Sequence, residues 1–258
     1  MNFDADLNAC AALVQRGDPV RFRAAMAAPV AARRVLFPLY AFNVEVSRAP
    51  WVTQEPMIAE MRLQWWRDVC EEIALGNPVR RHEVATPLAA VIRAQDGLAL
   101  DTLVAARRWD IYKDAFEDVA HFERYLDQTA GTLAWVAARV LGPADEAVVR
   151  QAAVGAGVGA WLLAIPDLEA RGRIPLLDGT AEAVAALAAR ALAGIKEARA
   201  RKSLVSKAAR PALLHVGSFD RVLQAAKCNP QAVAQGQLPD PIENDRMALP
   251  FRAFTGRW

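Results

Sequence analysis

The chain has 258 residues, 54% of them hydrophobic and 23% charged, with 31 Lys and Arg against 29 Asp and Glu for a formal net charge of +2. That balance excludes a disordered chain, which holds far fewer apolar residues, and gives no support to a protein built to neutralise phosphates, so no nucleic-acid partner is expected. Cys10, Cys70 and Cys228 are widely spaced without a Cys-x-x-Cys pair, which excludes a disulfide framework or zinc site as the expectation and fits a reducing, cytoplasmic compartment.

The first residues, Met1-Asn-Phe-Asp-Ala-Asp6, carry acids where a secretory leader is basic, so no leader is expected. The hydrophobic period is helical almost throughout, which predicts an all-α fold. A helix is expected over Arg33–Ser47. Another starts near Pro56, sets Ile58, Met61, Trp65, Val69 and Ile73 on one stripe, and stops at Gly76-Asn-Pro78. Further helices are predicted from Thr86 to about Arg108, and over Asp114–Asp127 with Asp114 as cap and Glu117 completing the capping pair. Then follow Thr129–Val140, Asp145–Ile165, Thr180–Ser203 and Pro211–Lys227. The uncharged run Ala152–Ile165 is short of the roughly 20 residues a spanning helix needs and reads as a buried core helix.

Within it, Gly155 and Gly159 form a small-residue pair that lets a neighbouring helix approach closely. The cations Lys196, Arg199, Arg201, Lys202, Lys207 and Arg210 fit either a solvated helix end or an anionic membrane surface. His82, His121 and His215 lie far apart and are read as surface or core histidines rather than metal or triad members. Residues 1–227 are expected to form one helical domain. Pro230, Pro239, Pro241 and Pro250 mark 228–258 as an irregular tail tied down by Leu249, Phe251, Phe254 and Trp258.

Two segments have an order of residues that helix-making does not require. One is Arg33-Arg-Val-Leu-Phe-Pro-Leu-Tyr40-Ala-Phe42-Asn-Val-Glu45-Val-Ser47-Arg48-Ala-Pro-Trp51; the other runs from Gly159-Ala-Trp through Pro166-Asp167-Leu-Glu169-Ala-Arg171-Gly172-Arg173 to Leu176. Between them stand Leu63-Gln-Trp65-Trp66-Arg67-Asp68, Gly76-Asn-Pro78, and Tyr125 followed by Thr129-Ala-Gly131. In order and spacing, from about Asp18 to Leu176, these resemble the squalene/phytoene synthase family. The resemblance implies a single helical bundle of the terpenoid-synthase type around a central apolar cavity. In such bundles carboxylates of two opposed helices bind Mg²⁺ ions that hold a prenyl diphosphate. Trp65, Trp66, Trp109, Trp135 and Trp161 then line the cavity or belong to plain core.

The sequence departs from the family at those carboxylates. Ser47, Arg48 and Trp51 stand where the first motif has aspartates. An arginine about 4 Å from Mg²⁺ repels it by on the order of 8 kcal/mol at an effective dielectric of 20. Glu45 is read as a solvated or capping charge. The second motif keeps only Asp167 and Glu169, which at i and i+2 do not share a helix face. Pro166 and Ile174-Pro175 predict a bent connection there.

Candidate phosphate or lipid-head contacts are Arg33, Arg34, Tyr40, Arg171 and Arg173; the competing reading pairs Arg171 and Arg173 with Asp167 and Glu169 at the surface. A substitute metal cluster, Asp110, Asp114 and Asp118, needs an unbroken helix to share a face. The resemblance extends to a divergent branch linked to assembly of respiratory complex I. It implies a non-catalytic scaffold without cofactor that binds a prenyl chain or lipid, and a respiratory-complex subunit or assembly factor, at the inner face of a bacterial inner membrane. The alternative is an active Mg²⁺-dependent prenyltransferase joining two prenyl diphosphates through an altered metal site.

Overall fold

The computed structural model describes residues 3–258. The chain runs through α1 (Phe3–Gly17), α2 (Pro19–Ala27), α3 (Val30–Arg48), α4 (Pro56–Ala74), α5 (Ala85–Val91), α6 (Ala94–Ala106) and α7 (Val119–Leu126). It continues through α8 (Thr132–Leu141), α9 (Glu146–Ala170), α10 (Ala181–Ala200) and α11 (Asp220–Cys228), and closes with the short helices α12 (Gln231–Ala234), α13 (Pro241–Asn244) and α14 (Ala248–Thr255). Among the described residues no strand forms, only an isolated bridge between Ala144 and Val205. The all-α architecture predicted by the periodicity is what the chain adopts.

Two helices organise the bundle. α3 is buried almost all round from Leu36 to Val44, and it packs against α1, α2, α5 and α8. A helix apolar on every side must sit at the centre of other helices. α9 is the second centre, packed against α8, α10 and α11. By length and composition α9 could cross a membrane, yet 61% of its apolar window is buried inside the bundle, as expected of a core helix. Gly155 and Gly159 make its close contacts: a Cβ on Gly155 would meet Ile195 Cγ1 at 2.6 Å and the Ala191 carbonyl at 3.0 Å, and one on Gly159 would meet Phe219 Cβ at 2.9 Å.

Several boundaries differ from the expectation. The helix predicted from Thr86 to Arg108 is broken at Ile92–Arg93, because buried Asp96 accepts the Arg93 amide at 2.8 Å and starts α6, while Arg139 neutralises its carboxylate. The helix predicted from Asp114 begins instead at Val119, because Asp118 takes the cap and accepts the His121 amide at 2.6 Å. The segment 111–118 stays irregular, anchored by Phe116 stacked on Trp109 with ring centroids 4.0 Å apart.

Pro166 does not end α9, which runs on to Ala170, so the bent connection begins only at Arg171. Residues 210–219 are 3₁₀-helical ahead of α11. The tail, expected to be irregular, holds three short helices. They are fixed by Leu249 and Trp258, both buried, and by Asp245, which accepts hydrogen bonds from Ser218 at 2.6 Å and from Arg252.

Candidate ligand cavity

The C-terminal halves of α3 and α9 diverge around a cavity of about 480 Å³, within the roughly 300–1,000 Å³ range of small-molecule sites. The α3 wall presents Asn43, Ser47 and Arg48, with Trp51 in the turn that follows. From α9 come Gly157, Ala160, Trp161, Ala164 and Asp167, and Arg171 follows at its end. A turn of π-helix at Asp127–Gly131 contributes Thr129 and Ala130. It widens the helix there, with the Thr129 hydroxyl donating to the Tyr125 carbonyl at 2.7 Å.

The floor is a buried polar triad. The Tyr125 hydroxyl donates to both carboxylate oxygens of Asp110, at 2.8 and 3.0 Å. Arg107 Nη1 donates to the Tyr125 oxygen at 2.7 Å and to Asp110 at 3.1 Å. Burial raises the Tyr125 pKa, with Arg107 opposing, so the phenol keeps its proton. Burial also works against the charge of Arg107, but Tyr125 and Asp110 outweigh it and its pKa is raised. Around the triad Trp109, Phe116, Phe122 and Trp161 form a ring cluster, and Trp161 Nε1 donates to the Pro175 carbonyl at 2.9 Å.

Two arginines meet at Trp51, of which Arg171 lines the cavity and Arg173 does not. Arg171 and Arg173 lie over the Trp51 ring, their guanidinium carbons 4.9 and 5.0 Å from its centroid. Arg173 is buried and donates to the carbonyls of Trp109, Asp110 and Tyr112. Desolvation lowers its pKa, with Asp110 opposing. The expected surface pairing of Arg171 and Arg173 with Asp167 and Glu169 does not form among the described residues: one arginine stacks on Trp51 and the other clamps the 109–112 turn.

Ser47, Arg48 and Trp51 thus line one cavity, and Asp167 lines it from α9. Glu169 points to another side of α9, beside Leu176 and Gln231, as the i, i+2 spacing requires. Arg33 donates to the carbonyls of Met26 at 2.8 Å and Ala28 at 3.2 Å, and Arg34 does not line the cavity. Tyr40 is buried, with its hydroxyl 3.5 Å from the Ala212 carbonyl and Arg21 over its ring. Asp110, Asp114 and Asp118 do not share a face: Asp110 is in the triad, Asp118 caps α7, and Asp114 lies in the irregular segment between them. Of the aromatics, Trp161 lines the cavity, whereas Trp65 and Trp66 pack with His82, and Trp135 lies under Arg139. Sequence reasoning missed Arg21, Asn43 and Arg107 as wall residues; Asp18-Pro19 signals the start of α2 but not which side chain turns inward.

Residues 14–176 match the family model described as squalene/phytoene synthase. The chain belongs to the squalene/phytoene synthase family. It is similar to a Drosophila melanogaster protein named NADH dehydrogenase (ubiquinone) complex I, assembly factor 6 homolog, at 31% identity over 142 residues, 53% of this chain and 42% of that protein. It is similar to the Homo sapiens assembly factor 6 at 26% identity over 138 residues, 53% of this chain and 41% of that one. The matched region therefore spans about two fifths of these relatives' length.

The fold is that of a dehydrosqualene synthase solved with a ligand (TM-score 0.76, 14% identity, 98% of this chain and 95% of that one). A squalene synthase from Alicyclobacillus acidocaldarius has it too (TM-score 0.72, 18% identity, 92% and 96%). As a member of this family the chain invites a test of fit for Mg²⁺, a hard cation that takes oxygen ligands and favours carboxylates. The wall offers two carboxylates, Asp110 and Asp167, against the guanidinium groups of Arg21, Arg48, Arg107 and Arg171. Asp110 is already engaged by Arg107 and Tyr125, and among the described residues no group of three His, Cys, Asp or Glu is placed to hold a metal ion. The donor set does not fit an Mg²⁺ cluster.

Proposed function

We propose that this chain is a non-catalytic member of its family, a scaffold in the assembly of respiratory complex I that holds a prenyl or lipid ligand in its cavity and needs no metal cofactor. The observation that carries the reading is the α3 wall, where the cavity meets Ser47, Arg48 and Trp51 instead of carboxylates. A departing diphosphate develops negative charge that metal ions neutralise, and this wall supplies nothing to hold them. The relatives named complex I assembly factor 6 support a partner among respiratory-complex subunits or assembly factors.

The proposal places the protein in the cytoplasm, peripherally at the inner face of the bacterial inner membrane. Met247, Phe251 and Phe254 on and beside α14 are 86%, 59% and 92% exposed at i, i+4 and i+7, with Arg246 and Arg257 exposed beside them. An apolar stripe edged by cations suits an anionic bilayer.

A second reading, an active Mg²⁺-dependent prenyltransferase, draws on Asp110 and Asp167 both reaching the cavity. Incubation of the folded protein with farnesyl and geranylgeranyl diphosphates, Mg²⁺ and NADPH, read by mass spectrometry, separates the two. No hydrocarbon above a heat-killed control, together with capture of a complex I subunit from membranes by the tagged protein, is the expected result. Turnover overturns the scaffold.

A further inference from the structure

We infer that the cavity binds a phosphate or diphosphate monoester on an apolar chain directly through guanidinium groups, without a metal ion, and that Arg48 and Arg171 are the main contacts of the anion. The inference rests on the ligand-holding reading above and adds the chemistry of recognition. Of the four arginines at the wall, two are already committed: Arg107 to Asp110 at 3.1 Å, and Arg21 to Asp18 at 2.6 Å, where Asp18 also caps α2. Among the described residues neither Arg48 nor Arg171 forms an ion pair. They come from different elements, Arg48 from the end of α3 and Arg171 from the residue after α9, and Arg171 reaches the Arg48 side by lying over Trp51.

Position and chemistry agree. A guanidinium presents a planar fork of donors that matches phosphate oxygens two at a time and keeps its charge at every physiological pH. Arg171 is held in place by stacking on Trp51, so less freedom is lost when it closes on an anion. Asn43 and Ser47 add neutral polar groups on the Arg48 side. Part of the lining is apolar. Leu126, Ala130 and Trp161 line it together with Gly157, Ala160 and Ala164, small residues of α9 that leave room for a chain. The cavity is therefore amphipathic, with these two cations and apolar surface in one lining beside the buried polar triad.

The test is calorimetric titration of the full chain with farnesyl diphosphate, lysophosphatidic acid and farnesol, each in EDTA and in Mg²⁺. A charged probe is expected to bind in EDTA, with Mg²⁺ giving no gain, and farnesol to bind at least tenfold more weakly. The tighter of the two charged probes tells a prenyl from a lipid source, and either supports the inference. R48Q and R171Q each weaken binding at least tenfold, while R33Q, which removes donors bound to the Met26 and Ala28 carbonyls, leaves it unchanged.

Affinity that appears only with Mg²⁺ overturns the inference, as does full affinity in the R48Q/R171Q double variant with its fold confirmed by circular dichroism. Failure of both charged probes to bind the folded wild-type protein also overturns it. Diphosphate release is measured in the same samples. Release overturns the non-catalytic reading, whereas no binding and no release overturns only the arginine site and leaves the scaffold to the membrane capture.

Discussion

Asp110→Asn separates a structural carboxylate from a ligand-binding one. Asp110 is 3% exposed and accepts three hydrogen bonds, two from Tyr125 and one from Arg107. The amide keeps the shape and one acceptor oxygen but removes the charge that compensates buried Arg107. Breaking a buried pair from one side costs about 3–5 kcal/mol when the partner charge is stranded. Here Arg107 keeps its 2.7 Å bond to the Tyr125 oxygen, so the expected loss is smaller, about 2–3 kcal/mol. In a chain of this size that lowers the melting temperature by roughly 5–10 °C.

Tyr125→Phe alone should cost about 1–2 kcal/mol, and the double variant should cost less than the sum because both changes break the same network. Urea denaturation of the four proteins measures it. A loss under about 0.5 kcal/mol for Asp110→Asn, with additive effects, would refute the triad as a structural unit. Asp110 would then be free to serve as a metal donor.

Burial holds His215 neutral well below its usual pKa, with Arg21 adding to the effect. A depressed folded pKa means the unfolded chain takes up a proton first, so this stability is present above about pH 6.5 and declines as pH falls, by up to about 1.4 kcal/mol per pH unit. His215→Leu should flatten that slope in urea titrations between about pH 7 and about pH 5.5. Gly155→Ala should cost about 1–3 kcal/mol because its Cβ meets Ile195 at 2.6 Å and the Ala191 carbonyl. Gly194→Ala, whose Cβ has only the Gln151 side chain at 3.6 Å, should stabilise by about 0.5–1 kcal/mol; thermal melts of both check the contrast. Replacing Met247, Phe251 and Phe254 with Ser should abolish sedimentation with anionic vesicles and leave the melting temperature unchanged, since these side chains face outward.

The existence of a helix with apolar periodicity was legible in the sequence, and α4 starts at Pro56 as predicted. Its buried face, however, is Ala59, Leu63, Trp66, Val69, Cys70 and Ile73, leaving Ile58 and Met61 of the predicted stripe exposed. Boundaries decided by distant partners were not legible. Asp114 and Asp118 are equally good caps locally, and the choice is made by Phe116, whose packing on Trp109 keeps the intervening residues out of a helix. Pro166 reads as a break, yet packing of α9 against α10 and α12 carries the helix past it. In the tail, prolines hid an ion pair between Asp245 and Arg252 and the burial of Trp258. The wall at Ser47, Arg48 and Trp51 could be placed because motif order places it. Arg107, Asp110 and Tyr125 meet through contacts up to 18 residues apart in the chain, which no local pattern encodes.

The same geometry explains how membership of the family is compatible with Ser47, Arg48 and Trp51 on the cavity wall. The stretch that carries the likeness most clearly, Leu39-Tyr40-Ala41-Phe42, is at most 1% exposed. It is core, and changing it would open cavities costing several kcal/mol. Ser47 and Arg48, about two turns further on the same helix, line the cavity and are half-buried and exposed respectively. Substitution there alters charge at the wall while leaving the packing of α3 against α1 and α8 intact. A family signature written in buried residues therefore reports the fold, whereas the chemistry is decided by the few side chains that reach the cavity. In this chain the charged ones among them are four arginines against two aspartates, which favours an anionic ligand over a metal ion.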